Sequence, residues 1–383
     1  MSKLSYRSAG ESHGSAITVI LEGLPRGLKL DLEFIDAELG RRQGGAGRGG
    51  RQRIETDRVE ISGGIRSGRT IGSPLCLVLR NKDEKIEELP EPVRPRPGHA
   101  DLAGCYRYLD RDIRGTLERA SARETVGRVA AGVVCRQLLR EVGCEVFGFV
   151  RSLEQVELAP ECPGDVTMEE LSSLRAQRDG SRLYTLESEV DSAMLAVVGE
   201  AGRDGDTVGG VVEVHVLGLL PGLGSCLQWQ ERLDARLAAA VVSIPAFKGV
   251  EIGLGFEAAR RRGTAVHDEI LPGGPLKRGS NHAGGLEGGM TNGQNLVLRG
   301  AMKPISTLKK PLGSVDLATG KADAAGYERS DVCAVSAASV IAEAMVALVV
   351  ADALLARVGG ETVAEFQARF EDIRGQTDTI GAG

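Results

Sequence analysis

An almost uninterrupted apolar segment near the end of the chain constrains the fold more than any other feature. It follows the motif ERSD at 328–331 and runs to about Leu355 with few polar interruptions. A helix that is apolar on nearly every face has to be covered on all sides, because an exposed face would leave hydrophobic surface in water. Its most apolar run, residues 344–351, is far shorter than the ~20 residues of a membrane span. The segment therefore predicts a helix buried at the centre of a domain.

A second helix, rich in small residues, is predicted from residue 121 onward. The motif SARE at 121–124 has the spacing of a capping box, and Gly143 stands where a helix stop belongs. An ER dipeptide precedes this helix at 118–119 and the apolar helix at 328–329. That correspondence indicates an internal repeat whose two halves meet at one site. Apolar residues recur at the spacing of one helix face: Val126, Val129, Ala130, Val133, Val134 and Leu138.

The remaining pattern is that of a mixed α/β (α+β) chain, and its length of 383 residues suits one large domain or two ordinary ones. Glycine accounts for 52 residues, about twice its usual ~7% share, so many tight turns are expected. Predicted strands cover residues 16–21, 52–61, 75–79, 146–158, 211–216 and 296–302. Predicted helices cover residues 32–39, capped by Asp31, and 233–242. Residues 81–92 are predicted to be a surface excursion and residues 161–182 a peripheral helical insertion.

The stretch from residue 94 to residue 125 concentrates groups that bind anions. Pro95, Pro97 and Gly98 fix a turn immediately before His99. A turn-held histidine, guanidinium groups and a free helix N-terminus are the parts of an anion site. On its own the stretch also fits a solvated basic loop that leads into an ordinary helix. Its arginines and the next one along the chain are Arg94, Arg96, Arg107, Arg111, Arg114, Arg119, Arg123 and Arg128.

A second arginine-rich stretch, RRQGGAGRGGR at 41–51, follows the first predicted helix. Its glycines satisfy G-x-G-x-x-G, but that dinucleotide fingerprint has to follow a strand and open a helix. A P-loop is excluded because it ends in Gly-Lys followed by Ser or Thr. What remains is a flexible loop suited to phosphate, or an RGG-like segment that binds RNA. The net charge of −6 counts against general nucleic-acid binding.

The five histidines and seven cysteines are too scattered for a metal site. No C-x-x-C pair occurs, and the odd number of thiols fits a reduced, soluble, cytoplasmic protein. The first fourteen residues have no apolar core, so no signal peptide is expected. His215 alternates with valines and is predicted to be half-buried and structural, and His267 with Asp268 is predicted to be an exposed pair. His13, in GESHG at 10–14, lies just before a strand, where backbone can approach a ligand.

From the residues alone, the best supported ligand is a small, phosphorylated, multiply anionic molecule. His13 and His99 could act as general acids, because imidazole titrates near neutral pH. Motifs along most of the chain then resemble the chorismate synthase family. In chain order they are GESHG at 10–14, RRQGG at 41–45, GRGGR at 47–51, RPGHADL at 96–102, SARET at 121–125, GDTVGG at 205–210, LDAR at 233–236, AFKG at 246–249, GMTNG at 289–293, MKP at 302–304 and ERSD at 328–331.

The resemblance covers about residues 7–350 of a single catalytic domain spanning 1–383, with 360–383 as a C-terminal tail. It implies a lyase that converts 5-enolpyruvylshikimate 3-phosphate to chorismate and phosphate by a 1,4-elimination with anti geometry, the last step of the shikimate pathway. Reduced FMN is required but not consumed, and NADPH is a candidate reductant of the flavin. The implied fold places core helices between antiparallel sheets with an internal pseudo-two-fold repeat. The implied protein is a cytoplasmic homotetramer that binds neither nucleic acid nor membrane.

The same resemblance implies roles for individual residues. His13 resembles the acid that protonates the leaving phosphate, His99 the histidine that protonates reduced flavin, and Asp331 the carboxylate that works with flavin N5 in proton removal. Ser12 and Ser121 resemble relay hydroxyls. The substrate and pyridine nucleotide loop is implied at Arg42, Arg48 and Arg51, with the first two assigned to the nucleotide as well. Contacts to FMN are implied at Arg119, Ala120, Ser121, Pro245, Ala246, Gly288, Lys303, Pro304, Ile305, Ser306, Thr307 and Arg329.

Four positions depart from the common family pattern. Ala120 stands where serine is usual, and Pro245 stands where asparagine is usual, so backbone rather than side chain is expected to touch flavin at 245. Ser67 replaces a frequent histidine and is not expected to be catalytic. Val332 replaces a usual proline after the aspartate and leaves the carboxylate in place. Two other readings stay open: a flavin oxidoreductase with net electron transfer, and an RNA-binding module that uses residues 41–53.

Overall fold

Two antiparallel sheets enclose a layer of helices in the computed structural model, which describes residues 4–50, 55–160, 162–163, 165–273, 276–328 and 331–380. The first half of the chain contributes strands β1 (Ser5–Ala9), β2 (Ala16–Glu22), β3 (Glu60–Gly63) and β4 (Leu75–Arg80), with helices α1 (Leu32–Gln43) and α2 (Thr125–Arg140). The second half contributes strands β5 (Glu145–Leu153), β6 (Gly210–Leu217), β7 (Phe247–Ile252) and β8 (Leu296–Met302), with helices α3 (Leu233–Val242) and α4 (Val335–Val358).

The two halves have the same topology. Each runs strand, strand, helix, strand, strand, helix along the chain. Their sheets are ordered β1-β2-β4-β3 and β5-β6-β8-β7, and every neighbouring pair is antiparallel. A short strand, Val156–Glu157, extends the second sheet beyond β5. The internal repeat that the two ER dipeptides indicate is therefore present in the fold, as is the predicted sandwich of helices between antiparallel sheets.

The two core helices α2 and α4 pack directly against each other. Gly132 on α2 allows this approach, because a Cβ at that position would overlap Ala344 on α4. Gly127 does the same for the contact between α2 and Val19 of β2. Aromatic residues make up only 3% of the chain, so the interior is filled by small and aliphatic side chains at close range.

Helix α4 is longer than its most apolar run suggests. It has 24 residues, and by length and composition it could cross a membrane. However, 94% of the most apolar 18-residue part of this helix is buried inside the protein. Length therefore does not distinguish this helix from a membrane span, whereas its burial on all sides identifies it as the core helix predicted from the sequence.

Further elements lie outside the repeat. The additional helices are Asp101–Tyr108, Arg114–Ala120, Leu171–Gly180, Ser188–Asp204 and Val363–Asp378. Two-stranded hairpins pair Ile65–Arg66 with Arg69–Thr70, Ile270–Leu271 with Lys277–Arg278, Leu286–Glu287 with Met290–Thr291, and Gly313–Val315 with Ala322–Ala324. Short 3₁₀ turns occur at Ile86–Glu88, Ala122–Glu124, Gly255–Arg260 and Gly263–Ala265. The last helix buries Phe366 and Phe370 in the main core.

The strand predicted for residues 52–61 is wrong for most of its described part. Residues 52–54 lie outside the described residues, and β3 begins only at Glu60. Glu55, Asp57 and Val59 alternate with exposed neighbours because they point into the protein, but their backbone is not paired with a neighbouring strand. The alternating sequence pattern at residues 55–59 therefore reflects alternating buried and exposed side chains, but no β-sheet pairing.

The capping box predicted at 121–124 is not formed. Ser121 Oγ accepts a hydrogen bond from the Arg123 amide at 3.4 Å, whereas the Glu124 amide donates to the Ser121 carbonyl at 3.2 Å. A 3₁₀ turn results, and α2 begins at Thr125. Ser121 Oγ is also bonded to Ser12 Oγ at 2.9 Å, which draws this side chain toward another loop. The predicted stop at Gly143 is confirmed by its positive φ of 73°.

The helical insertion predicted at 161–182 is confirmed in its second half by the helix Leu171–Gly180. A further helix, Ser188–Asp204, follows it without a strong periodic signal, because only Met194 and Val198 are buried on it. His215 is buried rather than half-buried, with Nε2 2.7 Å from Glu213 Oε1, so its structural role is confirmed. Asp268 is not exposed: its carboxylate accepts the amides of His282 and Ala283 at 2.8 and 3.0 Å.

Candidate functional site

Two equivalent connections of the repeat meet at one end of the helix layer, and most of the predicted site residues lie on them. The β4–α2 connection, residues 81–124, carries His99. The β8–α4 connection, residues 303–334, carries Lys303 and Asp331. Hydrogen bonds join the two: Arg96 Nη1 to Thr307 Oγ1 at 2.9 Å, Ser314 Oγ to the Pro95 carbonyl at 2.6 Å, and the Gly326 amide to the Arg94 carbonyl at 3.1 Å.

His13 lies on the β1–β2 loop and is held by a buried carboxylate. Its Nδ1 is 3.0 and 3.1 Å from the two carboxylate oxygens of Glu118, and its amide donates to Oε2 at 2.7 Å. Arg114 Nη1 donates to the same carboxylate at 3.2 Å. Burial alone would raise the pKa of Glu118, but the hydrogen bonds from His13 and Arg114 outweigh it and lower that pKa. Glu118 is therefore ionised at neutral pH.

Ser12 and Ser121 are brought together by this arrangement. Their Oγ atoms are 2.9 Å apart, and the Ser12 amide donates to the Glu118 carbonyl at 3.2 Å. The two hydroxyls assigned as relays by resemblance thus form one hydrogen-bonded pair beside His13.

A buried amide side chain fixes the loop that carries His13. Asn81 Nδ2 lies within hydrogen-bond distance of the carbonyls of Glu11, Ser12 and Gly14, at 3.1, 3.3 and 2.6 Å. Asn81 Oδ1 accepts from Arg123 Nε at 2.7 Å. The sequence predicts a surface excursion at residues 81–92, but Asn81 at their start is buried and holds the His13 loop in place.

Arg42 is linked to Asn81 through Asp57 and Arg123. Its Nη2 donates to Asp57 Oδ2 at 2.7 Å, and Arg123 Nη1 donates to the other oxygen of Asp57 at 2.6 Å. Arg42 is buried, which lowers its pKa despite the neighbouring Asp57. The Arg42 guanidinium therefore binds a carboxylate of the chain itself.

His99 is also held through Nδ1 by a carboxylate. Its Nδ1 bonds Asp101 Oδ1, and Arg96 binds Asp101 through Nε at 2.8 Å and Nη2 at 3.0 Å. Burial would raise the pKa of Asp101, but the hydrogen bonds from His99 and Arg96 hold it far below its usual range. Arg96 also donates a hydrogen bond to Thr307, so the His99 cluster is linked to the β8–α4 connection.

The segment 303–307 opens the β8–α4 connection, opposite the connection that carries His99. The Lys303 amide donates to the Ala246 carbonyl at 3.0 Å, and Thr207 Oγ1 donates to the Ile305 carbonyl at 2.7 Å. Ala246 has a φ of 70°, an unusual conformation for a residue with a side chain. Burial and then nearby Lys248 lower the pKa of Lys303. Lys303 on this segment therefore lies near a second cation, Lys248 on β7.

Asp331 faces the arginine loop. Its carboxylate accepts the Gly49 amide at 2.6 Å and Arg48 Nη1 at 2.6 Å. The next residue, Val332, donates its amide to the Gly47 carbonyl at 2.8 Å. A proline at that position could not make this bond, so the departure from the family pattern adds a link between the loop and the start of α4.

The two histidine clusters are joined by a pair of short helices. Helix Asp101–Tyr108 packs against helix Arg114–Ala120 so closely that a Cβ at Gly104 would overlap Thr116. His99 precedes the first helix, and Glu118 lies on the second. The same pair reaches the second half of the chain, because Arg114 Nη2 is 3.6 Å from Glu328 Oε1.

Not every predicted residue joins this group. Arg119 is exposed and donates to the Gly10 carbonyl at 3.1 Å, beside the His13 loop. Gly288 lies in the hairpin between Leu286–Glu287 and Met290–Thr291, which precedes β8, whereas Lys303 follows β8. Arg51 and Arg329 lie outside the described residues.

Sequence reasoning missed the residues that hold the predicted ones. In the sequence, Glu118 stands out only as part of the ER dipeptide. Asn81 and Asp57 belong to no recognisable motif. Asp101 could have been found, because a carboxylate two residues after a turn-held histidine can reach its Nδ1. Among residues 4–50, 55–160, 162–163, 165–273, 276–328 and 331–380, no group of three or more His, Cys, Asp or Glu side chains could hold a metal ion.

Comparison with known proteins gives one consistent family. A family model for chorismate synthase matches residues 4–355. The chorismate synthase of Aquifex aeolicus is 50% identical over 385 residues, covering 96% of this chain and 97% of the relative. That of Syntrophotalea carbinolica is 48% identical over 384 residues, covering 97% and 98%. A crystal structure of a chorismate synthase matches with a TM-score of 0.81 at 42% identity, covering 98% of both chains.

Proposed function

Because the chain belongs to the chorismate synthase family, we propose that it converts 5-enolpyruvylshikimate 3-phosphate to chorismate and phosphate by a 1,4-elimination with anti geometry. The observation that carries this proposal is the pair of histidines, each held through Nδ1 by an ionised carboxylate that also binds an arginine. Loss of phosphate requires a proton on the leaving oxygen, and cations that neutralise the released anion favour it.

Reduced FMN is the proposed cofactor, and the residues around Lys303 fit a phosphorylated group of that kind. Lys303 Nζ donates to the Pro304 carbonyl at 3.2 Å, and nearby Lys248 adds a second positive charge. Ala246 presents backbone in a strained conformation next to Lys303. When bound, the flavin would supply an electron source without net consumption. The residues that would hold it are Arg119, Ala120, Ser121, Pro245, Ala246, Gly288, Lys303, Pro304, Ile305, Ser306, Thr307 and Arg329.

His13 is the proposed acid for the leaving phosphate. With Nδ1 facing Glu118, Nε2 is the atom from which a proton would pass to the ligand. The Ser12–Ser121 hydroxyl pair lies beside the same loop and would relay protons. Asn81 keeps the loop in place, so that the ring is positioned before substrate arrives.

His99 and Asp331 are proposed to hold the remaining protons. His99 would take up or release a proton at Nε2, while Asp101 holds Nδ1. Asp331 would accept a proton on a carboxylate oxygen, which requires its bonds to Arg48 and the Gly49 amide to rearrange when ligands bind. Arg48 and Arg51 are proposed substrate ligands. Arg42 is assigned with them by resemblance and to NADPH as a reductant, although its bond to Asp57 favours a supporting role.

The wider setting is also proposed. One buried cluster runs from Leu4 to Phe370, which supports a single catalytic domain over residues 1–383. We also propose a homotetramer in the cytoplasm without nucleic-acid or membrane partners. Membership of the family supports this proposal, and α4 is buried like a core helix. Sedimentation of the purified protein would test the oligomer.

The decisive experiment is an anaerobic incubation with reduced FMN and 5-enolpyruvylshikimate 3-phosphate. Chorismate and phosphate are measured while the flavin spectrum is followed. The expected result is many turnovers per flavin, with flavin still reduced at the end. Stoichiometric oxidation of FMN would instead indicate an oxidoreductase. Absence of product from folded, FMN-binding protein would contradict the proposal.

A further inference from the structure

Glu118 contacts His13 in a way that fixes the whole residue. Its two oxygens approach Nδ1 at 3.0 and 3.1 Å, and Oε2 also receives the His13 amide at 2.7 Å. Backbone and ring of one residue are thus bound to one carboxylate. The Glu118 side chain is fully buried, so water does not compete for these bonds.

Charged groups lie on both sides of this pair. Arg114, one turn earlier on the helix of Glu118, donates to Oε1 and lies 3.6 Å from Glu328 of the second half. On the other side of the ring, Asp83 Oδ2 is 3.7 Å from Nε2, and Lys85 Nζ is 2.6 Å from Asp83 Oδ1. The imidazole therefore lies between two carboxylates, each paired with a cation.

We propose that Glu118 is a positioning residue for His13: its carboxylate keeps a proton on Nδ1 and directs Nε2 toward the ligand. This inference rests on the proposed function, in which His13 is the acid. An ionised carboxylate only accepts hydrogen bonds, so the Nδ1 that faces it carries hydrogen. Nε2 is then the atom that releases and regains the proton, while Glu118 itself makes and breaks no substrate bond.

The first test is the protonation pattern of the ring, measured without ligand or turnover. The full-length protein is labelled with ¹⁵N-histidine, and two-bond proton–nitrogen correlations are recorded. A His13→Asn variant identifies the signals. In the wild type, neutral His13 is expected to carry its proton on Nδ1. In Glu118→Gln, whose amide can also donate, a mixture of tautomers is expected. A wild-type ring protonated on Nε2 would overturn the proposal, whatever the outcome for the proposed function.

The second test is kinetic. Glu118→Gln should lower kcat by about 10- to 100-fold with KM changed less than about threefold. The pH profile of kcat should change as well, because the ring loses the carboxylate that it contacts at 3.0 Å. Glu118→Asp keeps the charge and should recover part of the rate.

The matched control is Glu141→Gln, a carboxylate that accepts from Gln367 at 2.9 Å near the other end of α2, ~24 Å along a helix of this length. It should behave as the wild type. A folded Glu118→Gln variant with wild-type kcat and pH profile would rule out the positioning role. If that variant does not fold, the wild-type spectrum and Glu118→Asp still decide.

Discussion

His13 and His99 share one local design at the residue scale. Each directs Nδ1 at a buried carboxylate, and each carboxylate is bound by an arginine, Arg114 in one case and Arg96 in the other. The arginines neutralise carboxylates that would otherwise be costly to bury. Both rings are therefore oriented by the protein before any ligand binds, which is the condition for efficient proton transfer.

Replacing either histidine by alanine should leave the fold intact and remove most turnover. Neither ring fills the hydrophobic core, but each loss takes a partner from a buried carboxylate, so the thermal midpoint is expected to fall while the protein still folds. The rate should fall by about 10²- to 10⁴-fold, the usual contribution of a general acid. Turnover with reduced FMN measures the loss, and His267→Ala, on an exposed loop, provides the control. Wild-type rates in both variants would remove these residues from the mechanism.

At the element scale, close helix packing depends on where glycine occurs. A Cβ at Gly132 of α2 would overlap Ala344 on α4, whereas nothing lies near a Cβ at Gly375 of helix Val363–Asp378. Both residues are helical, so alanine should improve the local helix propensity at both positions. Only the surroundings differ, which makes the two substitutions a direct test of the packing.

Gly132→Ala should lower the free energy of unfolding by about 1–3 kcal/mol, because the core has to shift to admit a methyl group. Gly375→Ala should raise it by about 0.5–1 kcal/mol. Urea denaturation followed by circular dichroism measures both. Equal effects at the two positions would show that α2 and α4 are not packed as described.

Strand β6 carries a buried charge cluster on the outer face of the second sheet. Glu213 accepts from Arg151 at 3.2 Å and from Arg299 at 2.6 Å, beside His215. Burial would raise the pKa of Glu213, but the hydrogen bond from His215 and the two arginines lower it to about 2. A carboxylate with a lowered folded pKa stabilises the protein above its unfolded pKa and loses that effect as pH falls.

The destabilisation caused by Glu213→Gln should therefore be largest above about pH 5 and should shrink as pH falls toward about 2. The measurement is the difference in unfolding free energy between wild type and variant at a series of pH values. Glu157→Gln, an exposed partner of Arg151, should show a small difference at every pH. A difference for Glu213→Gln that is constant with pH would contradict the assignment.

At the scale of the whole molecule, a buried charge cluster ties the two halves together. Glu343 on α4 binds Arg41 of α1 and Arg178 of the insertion, and accepts the Gly148 amide of β5 at 2.7 Å. Arg136 of α2 lies 3.9 Å from the same carboxylate. One side chain of the second half thus holds cations from both halves.

Glu343→Gln should lower the free energy of unfolding by about 1–3 kcal/mol, because it removes one of the carboxylates that these buried guanidinium groups share. Glu38 still accepts from Arg41 and Arg136 at 2.7 Å, so the guanidinium groups are not left unpaired. Unfolding should stay a single transition, since the halves share one core. Glu371→Gln, in an exposed ion pair, is the control and should cost less than about 0.5 kcal/mol. Two separate transitions in the wild type would show that the halves fold independently.

The sequence allows prediction of the elements with strong patterns and of the residues with motifs. Helices α2, α3 and α4 and strands β2, β4, β6 and β8 follow from periodicity. Contacts between distant segments do not, because neither spacing nor composition reports which loop Asn81 or Glu118 will meet. Alternation misleads at residues 55–59, where burial occurs without strand pairing, and the helix Ser188–Asp204 has too narrow an apolar stripe to be recognised.

The meeting of the two equivalent connections, β4–α2 and β8–α4, has an evolutionary consequence. In a dimer of two identical half-chains, the same loop would reach the site from both sides. An asymmetric ligand could then bind in two equivalent orientations. Fusion of the halves into one chain allows each side to change separately. Here one side carries His99 and Glu118 and the other carries Lys303 and Asp331. The repeat therefore provides the scaffold, and the difference between its two copies provides a single direction for binding and for chemistry.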